Sequence, residues 1–318
     1  MLLVFSLILF MGGCKQKENA TKSDSNQVAD IIDRVQAILK VQPVEYDPND
    51  ANKITGEYIA KQQMTIPKAL SAQNKWIMFE GPVLENDKVG YRYYADYRHR
   101  FDIFGKSVSD LVMDTVSWKY HDLMNWGSDI LKVGSSLGIG SPAILYQDSI
   151  YALEKWDKKT IEILNDTDDL ATIRTTFHDL VIGDERMTIQ QDWSLAAGGY
   201  DCTIDLKRID GELPSEMKFA TGIVSHLEES KESNTAEIYY SYTWGNQSFH
   251  KQDLGMAIIA DQKYGPNKRL DSMSHITVFD NSQDGVLYKF MAVWAEGVGD
   301  IKTEESFIKS IEEVVTKL

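Results

Sequence analysis

The sequence predicts a mostly β protein, an antiparallel sandwich with a few peripheral helices. Three observations carry that prediction. Short segments of two-residue apolar alternation recur along most of the chain. Gly, Asn and Asp interrupt them where turns belong. Helical apolar spacing is firm only at the C-terminal end.

The elements follow in order. Leu2 to Met11 are nearly all apolar, a run too short to span a bilayer, and Gly12-Gly13-Cys14 follows. Two small residues before a cysteine suit a lipoprotein signal peptidase, so residues 1–13 read as a signal peptide and Cys14 as the lipid attachment site. Residues 14–27 hold almost no apolar side chain and read as a flexible tether. The rest, 28–318, reads as a single domain without internal repeat. Val28, Ile31, Ile32, Val35, Ile38 and Leu39 recur at helical spacing, which predicts a short amphipathic helix over 28–39, ended by Pro43 and Pro48. Strand alternation is expected at 76–79, 89–97, 101–104, 187–195, 200–208, 217–227, 236–244, 256–259, 275–279 and 287–295. The Asp-rich stretch within 154–174 reads as a loop. At the end, Thr303 suits an N-cap, and Phe307, Ile308, Ile311, Val314, Val315 and Leu318 form one apolar stripe.

Charge narrows the function. Asp and Glu number 48 against 33 Lys and Arg, a net charge of −15, which argues against nucleic acid because phosphates must be neutralised by cations. The same field repels acidic substrates unless basic residues gather locally. Beyond Cys14 the one cysteine is Cys202, so no disulfide can form between residues of the mature domain, and its alternating context predicts a small core residue.

Two stretches could carry chemistry. Along 86–106, five basic residues (Lys88, Arg92, Arg98, Arg100, Lys106) meet three acidic ones (Asp87, Asp96, Asp102). A guanidinium matches a carboxylate as a planar fork, so Arg92 and Arg98 could hold an acidic ligand. The alternative is that these charges pair across adjacent strands. The second stretch is Tyr120-His121-Asp122-Leu123-Met124-Asn125-Trp126-Gly127-Ser128-Asp129, continuing to Lys132. A Trp126 face can stack on a sugar ring, and His121 titrates near neutrality and so can transfer protons. The alternative there is a loop whose Trp126 fills core space. His226 and Trp244 end later strand segments; a structural role weighs more heavily for them. No dinucleotide, phosphate-loop or nucleophile-elbow motif stands in a fitting context. No cofactor is predicted, and no His or Cys pair has zinc spacing; calcium held by scattered Asp residues stays open.

Phe79-Glu80-Gly81-Pro82-Val83-Leu84-Glu85, Tyr91-Arg92-Tyr93-Tyr94, Phe101-Asp102-Ile103-Phe104-Gly105-Lys106 and Trp126 to Gly134 resemble the family called domain of unknown function 4861, over most of the chain after the tether. The resemblance implies a galactose-mutarotase-like β-supersandwich from polysaccharide-degrading bacteria, associated with uronate-rich glycans, and it assigns no catalytic residue. The expectation is therefore a lipid-anchored, carbohydrate-active protein of the cell envelope, acting on acidic oligosaccharides as lyase, epimerase or hydrolase. Arg92 and Arg98 would hold the carboxylate, with Glu80, Lys132, His226 and Trp244 as further binding candidates. Trp126 would stack, and His121 would move a proton with Asp129 or Asp96. Hydrolysis by paired carboxylates would need two of Glu80, Glu85, Asp96 and Asp129 close together. The rival is a glycan-binding lipoprotein without catalysis, attached to the membrane only through its lipid.

Overall fold

A computed structural model describes residues 34–316, so the expected signal peptide, lipid site Cys14 and tether, residues 28–33 and Leu318 of the expected apolar stripe lie outside the described residues. Every strand pair is antiparallel. Five strands, Val35–Ile38, Val83–Asn86, Val89–Tyr93, Phe101–Lys106 and Gly127–Asp129, form one sheet in that order. A second five-stranded sheet runs Ser149–Ala152, Ala143–Tyr146, Lys218–Val224, Ser274–Phe279, Pro266–Leu270. The third sheet has nine strands and includes the long hairpins of Lys158–Asp166, Leu170–Ile182 and Glu185–Ala196.

The strand period decides which layer each side chain joins. In Val286–Trp294 of the large sheet, Tyr288 and Phe290 face inward: Phe290 meets Tyr91 and Phe101 of the first small sheet at 5.0 and 5.1 Å between ring centres, and Tyr288 stacks on Phe279 of the second at 5.4 Å. Their neighbours Met291 and Val293 face the other way, into a cluster with Phe307, Ile311 and Val314 of the C-terminal helix Glu304–Val315. Thr303 caps that helix in a reciprocal capping box with Ser306. The sandwich is thus one inner face of the large sheet covered by two smaller sheets, with the helix on its outer face.

Three local expectations are corrected. Val35–Ile38, read as the end of a helix, is a strand paired with Val83–Asn86, because its edge position lets it complete the first sheet. The 154–174 loop is the hairpin of Lys158–Asp166 and Leu170–Ile182, with the Asp-rich residues at its turn. Residues 76–79 bridge only at Ile77 and then form a 3₁₀ turn, Met78–Glu80. Of helices, the described residues hold one α-helix and four 3₁₀ turns.

Candidate functional site

Arg92 lies in Val89–Tyr93, on the face opposite Tyr91 and Tyr93, and its cross-strand partner is Asp102. The segment 107–126 covers this face with Trp118, Tyr120 and Trp126, and Phe79 joins them. The Arg92 side chain is 1% exposed and closely held. Its Nη2 donates to Asp102 Oδ2 at 2.8 Å, Asp129 Oδ2 at 2.7 Å and the Tyr94 hydroxyl at 3.0 Å. Its Nη1 donates to the Phe79 carbonyl at 2.9 Å and the Tyr120 hydroxyl at 3.1 Å. A buried cation so surrounded balances its desolvation with charge-assisted hydrogen bonds.

Glu80 reaches the same cluster through a costly backbone. Phe79 and Glu80 both have positive φ, 60° and 63°, which non-glycine residues seldom adopt and which costs about 1–3 kcal/mol each. The carboxylate so placed accepts from Arg98 Nη2 at 3.0 Å, from the Tyr120 hydroxyl at 3.3 Å and from the Gln73 amide at 3.2 Å. Arg98 also embraces Asp96, donating at 2.6–3.0 Å, and its guanidinium lies 4.0 Å from the Tyr94 ring centre. Tyr94 is thus flanked by two guanidiniums, and burial pushes its phenol well up, so it stays a neutral donor to Asp102.

At the mouth of this network stands His121. Its side chain is 57% exposed, and Nδ1 lies 3.3 Å from Asp129 Oδ2, whose side chain is 3% exposed. Gly127 makes that approach feasible: at φ +133° a Cβ there would sit 1.8 Å from the Gly105 carbonyl oxygen. The adjoining Ser128-Asp129 can therefore pair with Phe104 and Gly105. Partial burial and then the Arg92 charge lower the His121 pKa, leaving the imidazole neutral near pH 7. Burial, reinforced by Asp102, raises the Asp129 pKa well above the carboxylate range against the pull of Arg92. A buried carboxyl that accepts a proton readily beside an exposed neutral imidazole is an arrangement able to exchange a proton. On the same segment, Lys119, Met124, Asn125 and Trp126 help line a cavity of about 420 Å³, with Asp110, Thr115 and Ser117 on its other walls.

The other expected residues lie as follows. Trp126 is 8% exposed and packs near Phe104 at 6.3 Å, so it offers little ring face to a ligand. Asp96 is buried and paired with Arg98, not with His121. His226 and Lys132 are exposed and linked, the His226 ring nitrogen lying 2.8 Å from the Lys132 carbonyl. Trp244 packs on Phe307 of the C-terminal helix at 5.4 Å and belongs to that interface. Cys202 is fully buried, as expected of a core residue. Among the described residues no three His, Cys, Asp or Glu side chains converge as metal ligands.

The basic patch is neutralised from within. Lys88 pairs with Asp87, Arg92 with Asp102 and Asp129, Arg98 with Asp96 and Glu80, Arg100 with Glu154, and Lys106 with Glu85. Glu80, Glu85, Asp129 and Glu154 come from outside the 86–106 window, so local counting saw an excess of cations that folding removes. Glu80, Glu85, Asp96 and Asp129 are all buried and engaged by cations, which leaves no solvent-facing carboxylate pair among them. Pairing across adjacent strands, the alternative for this stretch, is what Arg92 and Asp102 show; sequence reasoning gave Tyr120 no role and passed over Phe249 and His250. Phe249 is 51% exposed and lies 6.4 Å from the His121 ring. An aromatic residue in the polar stretch 245–253 was the available signal.

A family model described as "Domain of unknown function (DUF4861)" matches residues 15–318. A comparison with curated proteins finds no match. Among solved structures, a chain described as "Putative kojibiose phosphorylase from human microbiome" is similar at 11% identity, with a TM-score of 0.39, over 89% of this chain and 35% of that one. This chain thus spans about a third of the length of that relative.

Proposed function

For this chain, which belongs to the DUF4861 family, we propose a carbohydrate-active domain in which His121 and Asp129 carry a proton-transfer step on a glycan. The observation that carries the reading is the 3.3 Å approach of a largely exposed imidazole to a buried carboxyl. Asp129 is the positioning residue, because its carboxyl stands 3.3 Å from Nδ1, which leaves Nε2 for the substrate. His121 is the base, since its lowered pKa keeps it unprotonated at neutral pH.

The finer expectation of a uronate substrate has lost its support. The cluster sets two guanidiniums, Arg92 and Arg98, against the carboxylates of Glu80, Asp96 and Asp102, with Asp129 beside them in its uncharged form. An incoming carboxylate would meet that surplus, so uncharged sugars fit the site better.

The test is turnover and binding by the full chain with short neutral and uronate-bearing oligosaccharides. His121→Asn is expected to lower kcat by about 10²-fold or more with binding retained. The wild-type rate should fall on acidification with an apparent pKa below about 6.5, as the base takes up a proton. Binding without turnover in wild type would instead favour a glycan-binding module. We also propose that Cys14 carries a lipid anchor at the envelope; Cys14→Ser should then move the chain out of the membrane fraction.

A further inference from the structure

The turn between the strands Ile238–Asn246 and Asp253–Asp261 brings Phe249 and His250 beside the His121–Asp129 pair from more than a hundred residues away. Phe249 is 51% exposed, an unfavourable placement for a large ring, yet the turn beneath it is rigidly built. The Phe249 amide donates to the Ile130 carbonyl at 2.7 Å, which ties the turn to the residue after Asp129. Within the turn, the Lys251 amide donates to the Ser248 carbonyl at 2.9 Å and the Gln252 amide to Ser248 Oγ at 2.8 Å. Asn246 Nδ2 donates to the Lys251 carbonyl at 2.7 Å, and Lys251 itself holds a positive φ of 56°. An exposed ring on so fixed a support contributes little to the core; it is held ready for a partner.

His250 completes the arrangement. Its Nε2 lies 2.8 Å from Ser128 Oγ, and that oxygen also approaches the carbonyls of Tyr120 and Asp129 at 3.1 Å. A hydroxyl has one proton to donate. If Ser128 donates it to a carbonyl, His250 must be the donor at Nε2, which leaves its Nδ1 as an acceptor pointing away from Ser128. The Phe249 ring stands edge-on to His250, 5.2 Å away, and 6.4 Å from His121. His121 and His250 therefore both stand near the Phe249 ring, with Asp129 beside His121.

We propose that Phe249 is the platform for the sugar ring on which His121 acts, with His250 Nδ1 accepting a hydrogen bond from a ring hydroxyl. The ligand class is a neutral hexopyranose that presents an unbroken face of C–H bonds. Those bonds carry slight positive charge and are drawn to the negative face of the Phe249 ring. The hydroxyls at the ring's edge then reach His250 on one side and His121 on the other. This assignment rests on the proton-transfer reading of His121 and adds to it the surface that orients the substrate.

The experiment uses the full chain and the same neutral and uronate-bearing oligosaccharides, with affinity measured by calorimetry and turnover by product analysis. Phe249→Ala should weaken binding of the neutral series at least tenfold while leaving the ligand-free melting temperature unchanged, because the ring is exposed. Phe249→Trp should restore or tighten binding, since a larger ring face remains. His250→Gln keeps a donor for Ser128 and should weaken binding by a few-fold. Wild-type affinity in Phe249→Ala, alongside lost turnover in His121→Asn, would overturn the platform and leave the proton-transfer reading standing. Wild type that binds none of the sugars would overturn both. Tighter binding of the uronate series than of the neutral one would overturn the assigned ligand class.

Discussion

Replacing Arg92 with methionine removes the cation paired with Asp102 and leaves that carboxylate buried without its partner. Breaking a buried pair in this way costs about 3–5 kcal/mol, so urea unfolding of Arg92→Met should show a loss of that size; a change within experimental scatter would mean that the network contributes little. Asp129→Asn is expected to behave differently. Asp129 already favours its uncharged form, and Asn keeps its shape, so stability should hold while turnover falls. Stability also depends on pH through His99. This ring is fully buried, and burial and then Lys159 push its pKa well below the ordinary value. An unfolded histidine takes up a proton near pH 6.5 while folded His99 remains neutral, so the unfolded state binds more protons below that pH. The stability it contributes is present above about pH 6.5 and lost as pH falls toward the folded pKa, by up to about 1.4 kcal/mol per pH unit. Asp129, with its raised pKa, acts in the opposite direction, so the contribution is read from the variant: between pH 7 and pH 5 the urea midpoint of His99→Phe should fall less than that of wild type, and equal changes would rule it out. The candidate site was half legible at this scale: His121 and Asp129 share one short stretch, whereas Asp102 meets Arg92 only through strand register.

Among the elements, the C-terminal helix depends on one ring. Phe307 is fully buried against Tyr242 and Trp244, and a Cβ on Gly255 would come within 2.9 Å of it. Truncation to alanine should cost about 3–5 kcal/mol, measurable as a lower melting temperature, and exposure of Trp244 should shift its fluorescence. At the site, Gly127→Ala forces a side chain onto the Gly105 carbonyl and into an unfavourable φ, so the strand Gly127–Asp129 should lose its pairing and turnover should fall with stability. The capped C-terminal helix was readable because its stripe and its N-cap are both local. The strand Val35–Ile38 was not: apolar residues at Val35, Ile38 and Leu39 fit a helical period equally well, and the unpaired edge of Val83–Asn86 decided the matter. Likewise, the polar residues of Lys158–Asp166 hid a strand that gains its hydrogen bonds from both neighbours.

At the scale of the molecule, both small sheets share one hydrophobic cluster with the large sheet. Neither can open without exposing the inner face of the other's support, so heat or urea should unfold residues 34–316 in one transition, with tryptophan fluorescence and far-ultraviolet circular dichroism coincident. Two separated transitions would show that one small sheet is independently stable. Sequence alone determined the mostly β class, the spacing of many central strands and the terminal helix, because period, turn residues and caps are properties of neighbouring residues. Only the tertiary structure decided the electrostatics. The five cations that look like an anion site in 86–106 are matched by carboxylates brought from residues 80, 85, 129 and 154 as well as from within the window. Charge balance in a folded chain is set by distance through space, and sequence order does not encode that distance.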